Sequence, residues 1–337
     1  MRHLTIPPDN CPTVKCELNS SYIGSGGGVA VRISYLDGLR GIAILAVVLY
    51  HGFFHVSAFR YGAMGVELFF LISGFVILLT LDKCQSFGDF FARRWVRLWP
   101  GMLIATVFTL SAYAFIGKPF GASIFPGLTL IDDRWYSWLF GTNVKSLDGV
   151  YWTLYLEMRF YVIFGLTYFL FGTRAAIAIL VSMGLLYLGL LETGHGLGVW
   201  RWTDFRLEAW FAAGALFYLS TKGRWFFPLA VLVGALAAWV YYPSHGPRAV
   251  GMLIVLLFAS AVRLQAIQSL LSHRSIVWVG AISYPLYLIH DPLLVGLGPW
   301  VGLPLSLAAA HVIAFHVEGP VRNALKSMMH VHVHQAV

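Results

Sequence analysis

The sequence predicts an all-α polytopic membrane protein, a bundle of about ten transmembrane helices with both termini cytoplasmic. Three observations predict it: charge is scarce, apolar segments of spanning length follow one another, and Lys and Arg fall unevenly between the loops. Of 337 residues, 58% are hydrophobic and 11% charged, with a mean hydropathy of +0.74. A soluble domain carries about 25% charged residues, so lipid is the solvent for most of this chain.

A spanning helix needs roughly 20 apolar residues, and candidates fall along the whole chain. Residues 36–56 open with LDGLRGIAILAVVLYH, where nine of the ten residues between Arg40 and His51 are apolar or glycine. Residues 64–82 contain GVELFFLISGFVI, and 98–117 follow the cationic, aromatic stretch FFARRWVRLWPG. Residues 150–171 begin VYWTLYLEMRFYVIF. The runs at 175–191, 205–220, 225–242 and 249–263 include short ones joined by tight Pro/Gly turns. Residues 276–296 hold ISYPLYLIHDPL, and 300–317 complete the series. The alternation over about ten residues that marks a membrane β-strand is absent.

With the N-terminus cytoplasmic, fourteen Lys and Arg fall on the inner side, seven on the outer side and two, Arg40 and Arg159, within spans, which accounts for all 23. Cytoplasmic loops carry such an excess. The net charge of +8 is therefore a topology signal and calls for no nucleic acid. The three cysteines, Cys11, Cys16 and Cys84, fall on the reducing side, where no disulfide framework is expected.

The expected domains are a flexible cytoplasmic tail at 1–33, a membrane domain at 34–322 and a cytoplasmic tail at 323–337. The first segment ends in IGSGGG at 23–28 and lacks the pattern of a signal peptide. The histidines of HVHVHQAV at 330–337 read as a disordered end, with metal affinity the alternative. The stretch 118–149 is the longest extramembrane piece, on the outer side, and its Gly, Pro and aromatic residues suggest a re-entrant or lid-like element. Transporter-type internal repeats are not visible.

Ionisable groups at membrane depth are costly and face a bundle interior or a wet cavity, so each is a functional candidate. From Arg40 to His51, eleven steps of about 100° come to roughly 1100°, three turns plus about 20°. The two share a helix face, about 16.5 Å apart along the axis. Asp37 is spaced to pair with Arg40. Snorkelling of Arg40 to headgroups, with His51 hydrogen-bonded between helices, is the plainer alternative.

His51 lies roughly 22 Å above the inner end of its helix, and Glu157 about 12 Å below the outer edge of a core about 30 Å thick. The two are thus expected to meet in the outer half. A carboxylate there holds one imidazole tautomer and raises its basicity, as a general base requires. Pairing of Glu157 with Arg159 is disfavoured, since adjacent helical residues point to different faces.

Ser283, Tyr284, Tyr287 and His290 form a polar stripe at three- and four-residue steps, either lining a substrate path or anchoring at the interface. His51 and His55 have metal-pair spacing but no third ligand, so no metal is expected. Arg94 and Arg97 lie three apart among tryptophans on the inner side. Paired guanidiniums suit phosphate oxygens, and positive-inside anchoring is the alternative.

In combination these stretches resemble the acyltransferase-3 family of integral-membrane acyltransferases, from about Leu36 to Arg322. The family pattern of Arg or Lys, ten residues, then His fits Arg40 to His51. GVELFFLISGFVI at 65–77 is similar to the family's second span, with Glu67 where aspartate is common. R-x-x-R fits Arg94 and Arg97, and WTLYLEMRFY fits W-x-L-x-x-E…F-Y through Trp152, Leu154, Glu157, Phe160 and Tyr161. SYPLYLIH at 283–290 and VEGP at 317–320 resemble the late motifs.

The resemblance implies O-acetylation or related acylation of a sugar or glycan hydroxyl, with the acyl group drawn from cytoplasmic acetyl-CoA or another acyl-CoA. It implies His51 as general base or acyl carrier, with Glu157 orienting it. Arg40, Arg94 and Arg97 would meet the donor, with Arg40 also a catalytic candidate at the mouth of the channel. Trp152, Tyr161, Ser283, Tyr287 and His290 are the candidate substrate-binding residues. The expected setting is the bacterial inner membrane, with membrane lipids as surroundings. A secondary transporter or flippase for a lipid-linked sugar, using a His/Glu proton relay, is the rival reading, and a structural scaffold a third.

Overall fold

A computed structural model describes residues 33–115, 117, 123–141, 143–192, 205–242 and 244–334. The expectations for the tail at 1–32, with Cys11 and Cys16, and for Lys118 lie outside them. Among the described residues the chain is all helical. Helices α1 (Ser34–Gly52), α2 (Gly65–Leu81) and α3 (Phe87–Phe115) are followed by two short ones, α4 (Ile124–Thr129) and α5 (Asp133–Phe140). Then come α6 (Trp152–Phe171), α7 (Thr173–Glu192), α8 (Glu208–Lys222), α9 (Phe226–Tyr241) and α10 (His245–Arg263). The last group is α11 (Gln265–Leu271), α12 (Arg274–Ala281), α13 (Ser283–Leu297), α14 (Pro299–Val312) and α15 (Gly319–His334).

Helices occupy every segment that hydropathy marked. Among the described residues, five stretches are long and apolar enough to cross a membrane: Ser57–Leu81, Phe87–Ala114, Gly149–Phe171, His245–Arg263 and Pro299–Leu325. Thr173–Gly189 and Phe226–Val240 are shorter apolar helices. Helix α1 carries Asp37, Arg40 and His51, which dilute its hydropathy. Helices α8 and α13 have 15 residues each, below the roughly 17 that a span needs.

Three boundaries differ from those expected. Helix α3 starts at Phe87 rather than 98 and runs for 29 residues with Pro100 inside it, so the cationic stretch belongs to the helix. The segment 276–296 is broken at Ile282 into α12 and α13. Pro285 has no N–H to continue a helix from α12, but it is tolerated in the first turn of a new one. Beyond α14 the chain passes through a π-helical turn at Ile313–Glu318 into α15, which carries most of the stretch assigned to the C-terminal tail.

Lipid tails are as apolar as leucine, so helices in a membrane associate through close packing and polar contacts. The α2–α8 contact shows the packing term. A Cβ on Gly74 would lie 2.0 Å from the Phe211 carbonyl oxygen, and one on Gly214 would lie 2.1 Å from that of Leu71. Only glycine permits this approach. Phe160 stacks on Phe211 with centroids 4.0 Å apart, and Phe70 sits 4.7 Å away on the other side. These rings lock α2, α6 and α8 together, and α2 and α6 join α1, α3 and α13 in enclosing the polar groups.

Candidate functional site

Two adjoining chambers hold most of the residues singled out in the sequence. The larger, about 290 Å³, is walled by Tyr50, His51, Trp152, Tyr287 and Asp291. The smaller, about 80 Å³, is walled by Arg40, Ser73, Arg97, Glu157, Ser283 and Tyr287. Val66 and Tyr287 belong to both walls, so they form the partition. Tyr287 is held there firmly. Its hydroxyl donates to the Val150 carbonyl at 2.8 Å and accepts from Thr153 Oγ1 at 2.8 Å.

Arg40 and His51 of α1 reach different chambers, as residues on one helix face three turns apart should. Arg40 pairs with Asp37 at 2.8 Å, one turn earlier. His51 does not meet Glu157; its ring packs edge-on against His290 of α13, with centroids 5.0 Å apart. Nδ1 of His51 lies 2.9 Å from the Val47 carbonyl and 3.3 Å from Nε2 of His290. The expected carboxylate–imidazole pair is thereby corrected to a histidine pair.

Glu157 turns into the smaller chamber. Ser73 Oγ donates to its Oε1 at 2.7 Å, and the Tyr161 hydroxyl donates to the same oxygen. Arg40, Arg94 and Arg97 all act on it electrostatically. Arg159, its neighbour in sequence, binds Glu208 of α8 through Nε at 3.1 Å and Nη2 at 3.0 Å. This is the separation of faces that helical geometry requires.

The R-x-x-R pair divides its labour. Arg94 is only 2% exposed. It donates to the Val76 carbonyl at 3.2 Å and to Thr80 Oγ1, and its guanidinium lies 4.9 Å from the Tyr161 ring centroid. It thus ties α3 to α2 and α6 and lines neither chamber. Arg97 lines the smaller chamber and makes no hydrogen bond or ion pair among the described residues. A free guanidinium beside Arg40 is a ready anion site.

Two of the residues expected to bind substrate lie outside both chamber walls. Tyr161 and His290 are fully buried and wall neither chamber; each instead holds another side chain, Glu157 and His51 respectively. Trp152, Ser283 and Tyr287 do line the chambers. His55 lies beyond the end of α1 and is exposed, so the H-x-x-x-H spacing makes no shared face. Among the described residues no cluster of three or more metal-ligating side chains occurs.

The sequence reading missed Ser73, Tyr50 and Asp291. Ser73 and Asp291 carried a usable signal, as polar residues in the apolar runs LISGF and LIHDPL. The stretch 118–149 contributes at its end, since Gly149 and the following Val150 line the larger chamber.

A family model described as an acyltransferase domain matches residues 33–317. The O-acetyltransferase OatA of Staphylococcus aureus is 26% identical over 310 residues, covering 77% of this chain and 50% of that protein. The peptidoglycan O-acetyltransferase OatA of Listeria monocytogenes is 27% identical over 174 residues, 45% of this chain and 27% of that one. The acyltransferase MdmB of Streptomyces mycarofaciens is 28% identical over 159 residues, 41% of this chain and 40% of that one. The chain spans about half the length of the first of these relatives. No solved structure matches it.

Proposed function

The chain belongs to the acyltransferase-3 family, and from that premise we propose that it is a membrane-bound O-acyltransferase. It moves an acyl group, acetyl in the simplest case, from a cytoplasmic acyl-CoA to a hydroxyl of a sugar or glycan acceptor at or beyond the membrane. In this reading the helical bundle lies in the bacterial inner membrane with both termini cytoplasmic. The membrane domain covers 34–322, with tails on either side.

One observation carries the proposal: His51 walls a chamber that shares a partition with a second chamber holding Arg40, Arg97 and Glu157. The arginine chamber suits the anionic donor, and Arg97 has a guanidinium to spare for a phosphate oxygen. The larger chamber suits an acceptor, offering aromatic walls at Tyr50 and Trp152 and a carboxylate at Asp291. The relatives' names, O-acetyltransferase and peptidoglycan O-acetyltransferase, support a glycan hydroxyl.

His51 takes the acceptor's hydroxyl proton as the oxygen attacks the thioester carbonyl. A C–O bond forms, the C–S bond breaks, and the sulfur of coenzyme A leaves with the electron pair and takes the proton that His51 had gained, returning His51 to its neutral form. Glu157 supplies a counter-charge in the donor chamber, where Arg40 is positioned by Asp37. Tyr287 and Val66 line both the donor and the acceptor chamber.

Coenzyme A tests the donor half. Purified protein in detergent is expected to gain thermal stability as coenzyme A is added, since a ligand that binds only the folded state stabilises it. A carrier for a lipid-linked sugar gains none, and that result returns the rival reading.

A further inference from the structure

His290 has no place in the chemistry above. It is 0% exposed and lines neither chamber, yet it is the ring against which His51 rests. A nitrogen bonded to a peptide carbonyl must carry the proton, because the carbonyl only accepts. Nδ1 of His290 lies 2.7 Å from the Tyr287 carbonyl and 3.2 Å from that of Leu286. Its proton is therefore on Nδ1, and Nε2 presents a lone pair.

That lone pair faces Nδ1 of His51 at 3.3 Å, and the Val47 carbonyl faces the same nitrogen at 2.9 Å. Both neighbours are acceptors, so His51 also carries its proton on Nδ1, shared between them. Nε2 of His51 is left unprotonated and has no hydrogen-bond partner among the described residues.

We infer that His290 is a positioning residue of His51: together with the Val47 carbonyl it holds the base in the one tautomer that can take a proton at Nε2, and it stabilises the imidazolium that results. The inference rests on His51 being the base proposed above. When His51 gains the hydroxyl proton, its Nδ1–H bond to His290 becomes charge-assisted and roughly twice as strong. The chain of bonds then ends on the Tyr287 carbonyl, which takes no proton. His290 thus polarises His51 without carrying its proton away. A histidine fills the orienting role that is more often given to a carboxylate, while Glu157 stays with the arginines.

Solid-state NMR of the full chain in lipid bilayers tests this without activity. The sample carries 15N-labelled histidine in mildly alkaline buffer, and His51→Ala and His290→Ala spectra assign the rings. The expected result is a protonated Nδ1 on both rings and a 15N–15N correlation between Nδ1 of His51 and Nε2 of His290. A His51 ring protonated on Nε2, or no correlation between the rings, overturns the inference.

Acyl transfer from acetyl-CoA to envelope glycan, measured in membranes, supplies the second arm. His290→Leu is expected to lower the rate about tenfold or more with coenzyme A affinity unchanged. His290→Gln, whose amide oxygen still accepts from His51, keeps most of the rate. Equal loss in both variants at equal membrane abundance contradicts a positioning role. Wild-type-rate transfer by His51→Ala, with the NMR result intact, removes the base reading itself and leaves the tautomer standing.

Discussion

The Ser73 hydroxyl donates to Oε1 of Glu157 at 2.7 Å, joining α2 to α6 across 84 residues of sequence. Together with the Tyr161 hydroxyl on the same oxygen, it holds the carboxylate in the chamber that Arg40 and Arg97 also line. Glu157 is therefore held by neutral donors, in a chamber whose two arginines include one, Arg40, already paired with Asp37.

Removing the donor should loosen that arrangement. Ser73→Ala is expected to cost about 1 kcal/mol of stability and to weaken coenzyme A binding several-fold. Thermal unfolding with and without coenzyme A measures both. Unchanged binding would show that the direction of Glu157 does not govern the arginines.

The two arginines of R-x-x-R should fail differently. Arg94→Ala removes the donor to the Thr80 hydroxyl and one of the donors to the Val76 carbonyl, which keeps that from Thr80 Oγ1, and is expected to lose about 1–3 kcal/mol, with the midpoint of unfolding as readout. Arg97→Ala should leave the midpoint near wild type and weaken coenzyme A binding about tenfold. The opposite assignment of losses would contradict the division of labour drawn above.

Glu208 is 0% exposed and holds Arg159. Truncating one partner of a buried pair leaves the other charge unpaired, so Glu208→Ala is expected to cost about 3–5 kcal/mol. The double variant Glu208→Ala with Arg159→Met should recover much of that loss. Detergent-resistant folded fraction after heating distinguishes the two, and no recovery would mean that Arg159 is satisfied elsewhere.

Gly74 and Gly214 set the distance between α2 and α8. Gly74→Leu drives a side chain into the Phe211 backbone and should destabilise the fold by about 1–3 kcal/mol or more. Tolerance of that variant at wild-type stability would mean the two helices do not approach as described.

Hydropathy is a local property, which is why the segment series was legible before any coordinates. The spacing of Arg40 and His51 on one face was legible for the same reason, since helix geometry needs only residue numbers. Partners were not. His51 and His290 are 239 residues apart, and depth along a helix says how high a side chain lies, not which way its helix is turned. Glu157 and His51 shared an expected depth but face different chambers. The break at Ile282 was masked because its flanks are equally apolar, although Pro285 marked it. Arg94 and Arg97 share a motif and a helix, and only the packing of Tyr161 beneath Arg94 shows that one is structural.

The most direct test of the acyl-transfer account is mass spectrometry of envelope glycans from a deletion strain carrying either the wild-type chain or His51→Ala at matched membrane abundance. The account predicts an acyl-sized increment restored by the wild type and missing with His51→Ala. The same increment restored in full by His51→Ala would contradict it.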